Sequence, residues 1–204
     1  MSNAAKPKRV ILGLTAEDRR QDRRRRLEDA ALELFASFGF AHTSIEKLCQ
    51  SAGVSLSTFY NEFGTKDALF VSLYDRLLGE FNAGGDRVLA ATEAQDDRIR
   101  LRTTALVQAL CGRPAVGRAL LIEAALVPAL KDRRRIVRRA IAEMIERGNP
   151  VLAGQKNVAI GITGGVTELV IDWLVYDSDS PPETLVDRIV EFAEVVIAGV
   201  RAQA

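Results

Sequence analysis

The sequence predicts an all-α protein with a small helical unit at its N-terminal end and a larger helical body after it. Three observations carry that prediction. Apolar residues recur at spacings of three and four almost throughout the 204 residues, which is the signature of amphipathic helices, and no sustained alternation marks a strand. Glycine and proline punctuate the chain between the periodic segments, at Gly39, Gly53, Gly64, Pro114, Pro128, Pro150 and Pro182, where helices stop or start. Two short helical segments meet at a glycine turn between residues 44 and 63. A hydrophobic content of 48% with 27% charged residues is that of an ordinary soluble globular protein.

The elements follow in chain order. Met1 to Arg9 carries basic side chains but no apolar run before a cleavage site, so no secretory signal is expected, and residues 1–14 are expected to be a disordered arm. Thr15 and Asp18 form a capping-box pattern that opens a first helix. Its apolar face is Leu27, Ala30, Ala31, Leu34, Phe35 and Phe38, and Gly39 stops it. Thr43 or Ser44 caps a short second helix carrying Ile45, Leu48 and Cys49 and ending at Gly53. Ser55 caps a third, ending near Phe63, with Gly64 as its stop. Thr65 caps a fourth, whose stripe is Leu69, Phe70, Leu73, Leu77 and Phe81; Gly84-Gly85 is expected to break or bend it.

Beyond lies a helical array in which two segments stand out. Asn157 to Val175 is apolar on nearly every side, so more than one face must be covered. Its Glu168 and Asp172 argue against a membrane span, since each central carboxylate would cost about 3 kcal/mol. Pro181 to Arg201 repeats Leu185, Ile189, Phe192, Val196 and Gly199 at spacings of four and three. That pattern fits a bundle-type seam and, equally, a last core helix.

The helix pair Ser44 to Ala52 and Leu56 to Phe63, joined through Gly53-Val54-Ser55, has the form of a helix-turn-helix. Glycine suits the point where the backbone leaves the helix, and Cys49 is small enough for a close crossing. Phe59 and Phe63 are four apart and share an inward face. Ser57, Thr58, Asn61 and the Tyr60 ring are left outside, and short hydroxyls, an amide and a phenol suit phosphate oxygens and base edges. Just upstream, residues 19–26 read RRQDRRRR. Alone, such a run is a solvated helix face; beside a recognition-type helix it becomes a local electrostatic footprint. Arg23 and Arg24 are its DNA-facing candidates, in a chain whose formal net charge is only +1.

Residues 26–70, "RLEDAALELFASFGFAHTSIEKLCQSAGVSLSTFYNEFGTKDALF", resemble the TetR family of bacterial transcriptional regulators nearly without gaps. The resemblance implies an N-terminal three-helix helix-turn-helix DNA-binding head (15–64) followed by a larger helical effector-binding and dimerisation domain (65–204). By position, it makes Thr43 a phosphate anchor, with Ser44 beside it. It places Ser55, Ser57 and Thr58 against backbone or bases, Tyr60 on phosphate or base, Asn61 at an operator-dependent position, and Lys66 on a phosphate. The chain departs from the family at Leu56, which suits a thymine methyl or plain packing, at Ser57, and at Glu62, which is expected to point away from the phosphates. The implied partners are a roughly palindromic double-stranded operator, a second copy of the chain and an unknown small-molecule effector. Gly161, Gly165 and Leu169, with Leu185, Ile189, Phe192 and Val196, would form the dimer interface. Phe81, Leu106, Leu110, Leu121 and Trp173, with polar Glu123 and Thr167, are pocket candidates, and all serve equally well as core. Repression rather than activation is the family expectation.

Other classes find little support. The one histidine, His42, sits beside a helix cap, and no P-loop, nucleophile elbow or G-x-G-x-x-G is present, so no catalytic residue, metal ligand or cofactor is assigned. Two distant cysteines suggest neither a disulfide framework nor a metal motif, so a cytoplasmic protein is expected. A DNA-binding regulator controlled by a protein partner or by abundance alone is the remaining alternative.

Overall fold

The computed structural model describes residues 15–90 and 98–203, and the expected N-terminal arm lies outside them. Every regular element among the described residues is helical, and the chain divides into two compact units at Leu73/Tyr74.

The first unit begins with α1 (Ala16–Phe38), opened by a capping box in which the Asp18 N–H donates to Thr15 Oγ1 at 3.1 Å and the Thr15 N–H to Asp18 at 2.7 Å. Its buried face runs through Leu27, Ala31, Leu32 and Phe35. Leu32 is buried as well, whereas Leu34 is only half-buried. Phe38 is 52% exposed, with Lys47 Nζ 3.3 Å above its ring. Next come α2 (Ile45–Ala52) and α3 (Leu56–Glu62). Ser44, rather than Thr43, caps α2 by accepting from the Lys47 N–H. Gly53 adopts φ +63, the left-handed C-cap conformation that favours glycine. Phe35, Phe40 and Phe70 close the unit with ring centroids 4.9–5.5 Å apart. Phe70 belongs to α4 (Lys66–Ala90), which begins behind the Thr65 cap. The unit therefore extends beyond residue 64, because Leu69, Phe70 and Leu73 are wholly buried. Helix α4 also continues through Gly84-Gly85 instead of breaking. Each interior glycine costs only about 1 kcal/mol relative to alanine, which a long helix tolerates.

In the second unit, α5 (Arg98–Cys111) packs on α9 (Pro182–Arg201), while α8 (Lys156–Asp172) packs on both α7 (Lys131–Gly148) and α9. Between α5 and α7 lie the short α6 (Pro114–Gly117), a π-helical turn (Arg118–Ile122) and two 3₁₀ turns. A second π-helical turn, Trp173–Asp177, follows α8. The two π turns are joined by Arg118, whose guanidinium donates to the Leu174 carbonyl. The arginines of α7 are mostly exposed, and Arg133 pairs with Asp75 at 2.9 Å.

Gly117 allows α6 to sit against α5: a Cβ there would lie 2.4 Å from the Leu110 carbonyl oxygen and 2.8 Å from Leu174 Cδ1. The Leu174 side chain can shift, but the Leu110 backbone cannot. Gly117→Ala is therefore expected to destabilise the body by about 1–3 kcal/mol. Gly79→Ala, whose Cβ would meet nothing within 4 Å, should instead stabilise α4 by up to about 1 kcal/mol. Thermal melts of the two variants should shift in opposite directions, and equal shifts would contradict this account.

Candidate nucleic-acid interface

Helix α3 is short, so its orientation depends on what holds it from below. Phe59 is fully buried, and its ring meets Tyr60 edge-on at 5.5 Å. At the start of α3, Ser55 Oγ accepts from the Thr58 N–H at 3.1 Å and lies 2.9 Å from the Thr58 hydroxyl. Those bonds occupy Thr58, which is half-buried. Leu56 (42% exposed), Ser57, Tyr60 (54% exposed) and Asn61 face outward, one helical turn apart. Of the two readings of Leu56, its exposure favours an outward contact over packing.

Several other candidates spend their polar groups inside the unit. Thr43 is 1% exposed, and its hydroxyl donates to the Gly39 carbonyl at 2.9 Å. Ser44, next to it, is exposed. Lys66 Nζ donates to the carbonyls of Phe40 at 2.6 Å and Thr43 at 2.9 Å and lies 4.3 Å over the Phe40 ring. The ammonium therefore staples the start of α4 to the α1–α2 corner. These contacts correct the phosphate roles expected for Thr43 and Lys66: one side chain is out of reach and the other is occupied.

The arginine run is also engaged. Arg20 Nε and the Arg23 fork bind the two oxygens of Glu62 at 3.0 and 2.9 Å, and the Glu62 side chain is only 5% exposed. Arg24 donates to the Glu62 carbonyl at 2.6 Å and to Ser72 Oγ at 3.2 Å, and its guanidinium lies 4.1 Å over the Phe63 ring. Arg26 donates to the Ala52 carbonyl at 3.2 Å. Arg23 and Arg24, expected on DNA, thus hold α3 against α1 in the free protein. Sequence reasoning misses this use because Glu62 lies 39 and 42 positions from its partners, and no local pattern signals such a pairing.

Burial alone would raise the Glu62 carboxyl, but the hydrogen bonds and charges of Arg23 and Arg20 outweigh it and hold it below the ordinary glutamate range. A depressed folded-state value stabilises the fold above the unfolded value, and that stabilisation is lost as pH falls through the folded one. Melts between about pH 6 and pH 3 should therefore show an acid-side loss of head stability that Glu62→Gln reduces; identical pH profiles would contradict the role of this pair.

The second unit presents a different surface. The helix Lys156–Asp177 is long and apolar enough to cross a membrane by composition, with mean hydropathy 1.6, yet only 33% of its most apolar stretch is buried within the chain. Phe192 of α9 lies over Gly165 so closely that a Cβ there would be 2.5 Å from its ring. An open groove of about 630 Å³ follows, lined by Leu169, Phe192 and Val195 with Glu168, Asp172, Arg188 and Glu191 at its polar positions. A Cβ at Gly161 would meet nothing within 4 Å, and Val196 is half-buried. Leu185 and Ile189, expected at a subunit seam, are 0% and 2% exposed and belong to the core of this chain. The outward face of α9 instead carries Val195, 67% exposed. The spacing identifies the helix but not which of its faces its neighbours cover.

None of the seven pocket candidates lines that groove. Leu110 and Trp173 are buried, whereas Phe81, Leu106, Leu121 and Glu123 are half-buried. The Thr167 hydroxyl donates to the Thr163 carbonyl at 2.7 Å. Burial pushes the Cys111 thiol up to about 11. No group of three or more His, Cys, Asp or Glu among the described residues is placed to hold a metal ion.

Comparison with known proteins converges on one group. Residues 27–73 match the profile described as bacterial regulatory proteins, tetR family. Over 99 residues, 48% of the chain, the sequence is 31% identical to the HTH-type transcriptional regulator EthR of Mycolicibacterium smegmatis. Over 134 residues, 66% of the chain, it is 24% identical to the fatty acid metabolism regulator protein of Bacillus subtilis. These stretches span 46% and 62% of the relatives' own lengths. The fold is similar to that of the transcriptional regulator FadR from Bacillus subtilis in complex with stearoyl-CoA, with a TM-score of 0.69 at 18% identity over 86% of this chain and 98% of that one.

Proposed function

We propose that this chain, which belongs to the TetR family of bacterial regulatory proteins, is a cytoplasmic, sequence-specific transcriptional regulator. It binds a roughly palindromic operator as a homodimer and represses by occupying it. The observation that carries this reading is the face of α3. Leu56, Ser57, Tyr60 and Asn61 point outward from a helix anchored by a fully buried Phe59. Such a face supplies apolar, hydroxyl and amide contacts suited to a major groove. Ser44 and Ser55 mark the exposed N-terminal ends of α2 and α3, where backbone N–H groups favour phosphate.

The dimer reading is supported by the sparsely covered α8 and by the apolar Leu169–Phe192–Val195 groove beside it. A single small head makes few contacts. Two heads on half-sites about 34–36 Å apart read the operator together.

The body is proposed to receive a small-molecule effector that releases the operator. By linkage, an effector shifts DNA affinity only as far as it discriminates between the bound and released states. Because the fold resembles a regulator solved with stearoyl-CoA, long-chain acyl-CoA is the first class to screen.

The decisive experiment is selection from a random double-stranded library at about 150 mM salt. Enrichment of a palindrome with half-sites about one turn apart is expected; binding that merely fades with salt, without enrichment, would overturn the assignment. On the selected operator, Asn61→Ala should change which bases are preferred at one position by about 1–3 kcal/mol. Tyr60→Phe should weaken all sequences alike. Equal losses for Asn61→Ala on every DNA would remove that residue from base reading.

A further inference from the structure

Six arginines in residues 19–26 look like a phosphate-binding patch, yet Arg20, Arg23, Arg24 and Arg26 already donate within the chain. One carboxylate gathers two of them: Glu62 Oε2 accepts from Arg20 Nε at 3.0 Å, while Glu62 Oε1 accepts from Arg23 Nε at 3.2 Å and from its second nitrogen at 2.9 Å. The fork that grips a carboxylate in this way is the fork that grips phosphate. Arg24 satisfies the Glu62 carbonyl at the C-terminal end of α3 and reaches Ser72, whose hydroxyl donates to the buried Glu28 at 2.7 Å. The last turn of α3 is thereby tied to α1 and, through Ser72, to α4. Its outward residues all lie within about two turns of that tie.

We propose that Glu62 is the positioning residue of the recognition helix: its pairing with Arg20 and Arg23 fixes α3 on α1 and withdraws two arginines from phosphate, so that discrimination between operator and random DNA depends on it. This rests on the DNA-binding reading above. A carboxylate near a DNA-facing surface would ordinarily repel phosphate. Here it is 5% exposed and neutralised by two cations, so it costs little in repulsion while lowering non-specific attraction.

The test compares Glu62→Gln with the double variant Arg20→Ala/Arg23→Ala in the full chain. For each, binding to the selected operator and to random-sequence DNA is measured across salt concentrations. Amide hydrogen exchange of α2 and α3 is followed without DNA. Both variants should lose protection at the Phe59–Phe63 amides while α2 keeps its own, and both should lower the operator-to-random ratio by about tenfold, the discrimination of one good base contact.

The salt dependence separates the roles. Glu62→Gln frees two arginines, so non-specific affinity should rise and the slope of log K against log salt should steepen by about one to two. The double variant has no arginines to free, and its slope should not steepen. Unchanged α3 protection in Glu62→Gln, or parallel losses on both DNAs with an unchanged slope, would overturn the proposal. A slope that flattens by about two in the double variant, with exchange unaffected, would return the arginines to the phosphates. If the wild type prefers no DNA, the regulator reading fails by itself, and the exchange data still decide whether Glu62 holds α3.

Discussion

A Val195→Asp chain should be a folded monomer that binds the palindromic operator about a thousandfold more weakly than the wild type, near the gap that separates specific from non-specific binding. Val195 is 67% exposed on α9, so the substitution leaves the interior of the chain untouched and its melting behaviour should change little. In a homodimer covering the Leu169–Phe192–Val195 groove, however, it buries an unpaired carboxylate in each copy. Glu191 lies one turn before the position, so the new charge has a repulsive neighbour on its own helix. Breaking or creating an imbalance of buried charge costs several kcal/mol, and a symmetric interface suffers it from both copies. Each head then binds its half-site alone and the joint occupancy is lost. Light scattering on the size-exclusion eluate and operator titration give the two readouts. A dimer that persists at low micromolar concentration would place the interface elsewhere, and a monomer that keeps operator affinity would make dimerisation dispensable.

Phe59→Ala should abolish binding to every DNA by unfolding the head. The ring is fully buried beneath the α3 face that packs inward, and it is in contact with Tyr60 and Phe63 at centroid distances of 5.5 and 6.3 Å. Truncation of a buried phenylalanine costs about 3–5 kcal/mol, a large share of what so small a unit has to spare. Phe59→Leu, which keeps most of the volume, should cost less than about 1.5 kcal/mol and retain an operator preference. Near-ultraviolet circular dichroism of the aromatic cluster, with binding to operator and random DNA, separates the outcomes. A Phe59→Ala protein that stays folded and keeps operator affinity within about tenfold would contradict the packing account of α3.

Much of the head is legible in the sequence, because its signals are local. The Thr15/Asp18 capping box, the Ser55 cap and the Gly53 stop each act within a few residues, and each is present as expected. The same locality misleads at Thr43 and Lys66. Residue type and position point to phosphate, but the available partners, Gly39 and the Phe40 and Thr43 carbonyls, come from a corner whose folding brings them within 3 Å. In the body, the spacing of α9 identifies an amphipathic helix and fits a seam and a core helix equally; it is the resemblance that puts Leu185 and Ile189 at the seam, and both are interior. Periodicity shows that a helix has an apolar side. On α9, where apolar residues occur on more than one side, the neighbours α5 and α8 determine which side is covered first.

The sequence by itself determined the helical class, the order of the four N-terminal helices, the caps of α1 and α3 and the outward placement of Ser57, Tyr60 and Asn61, since all of these follow from backbone and side-chain preferences over one or two turns. Only the tertiary structure decided what the arginines do and which face of α8 and α9 stays open. Those outcomes depend on pairs such as Arg23 with Glu62 and Gly165 with Phe192, which lie tens of residues apart and meet only when packing brings their helices together.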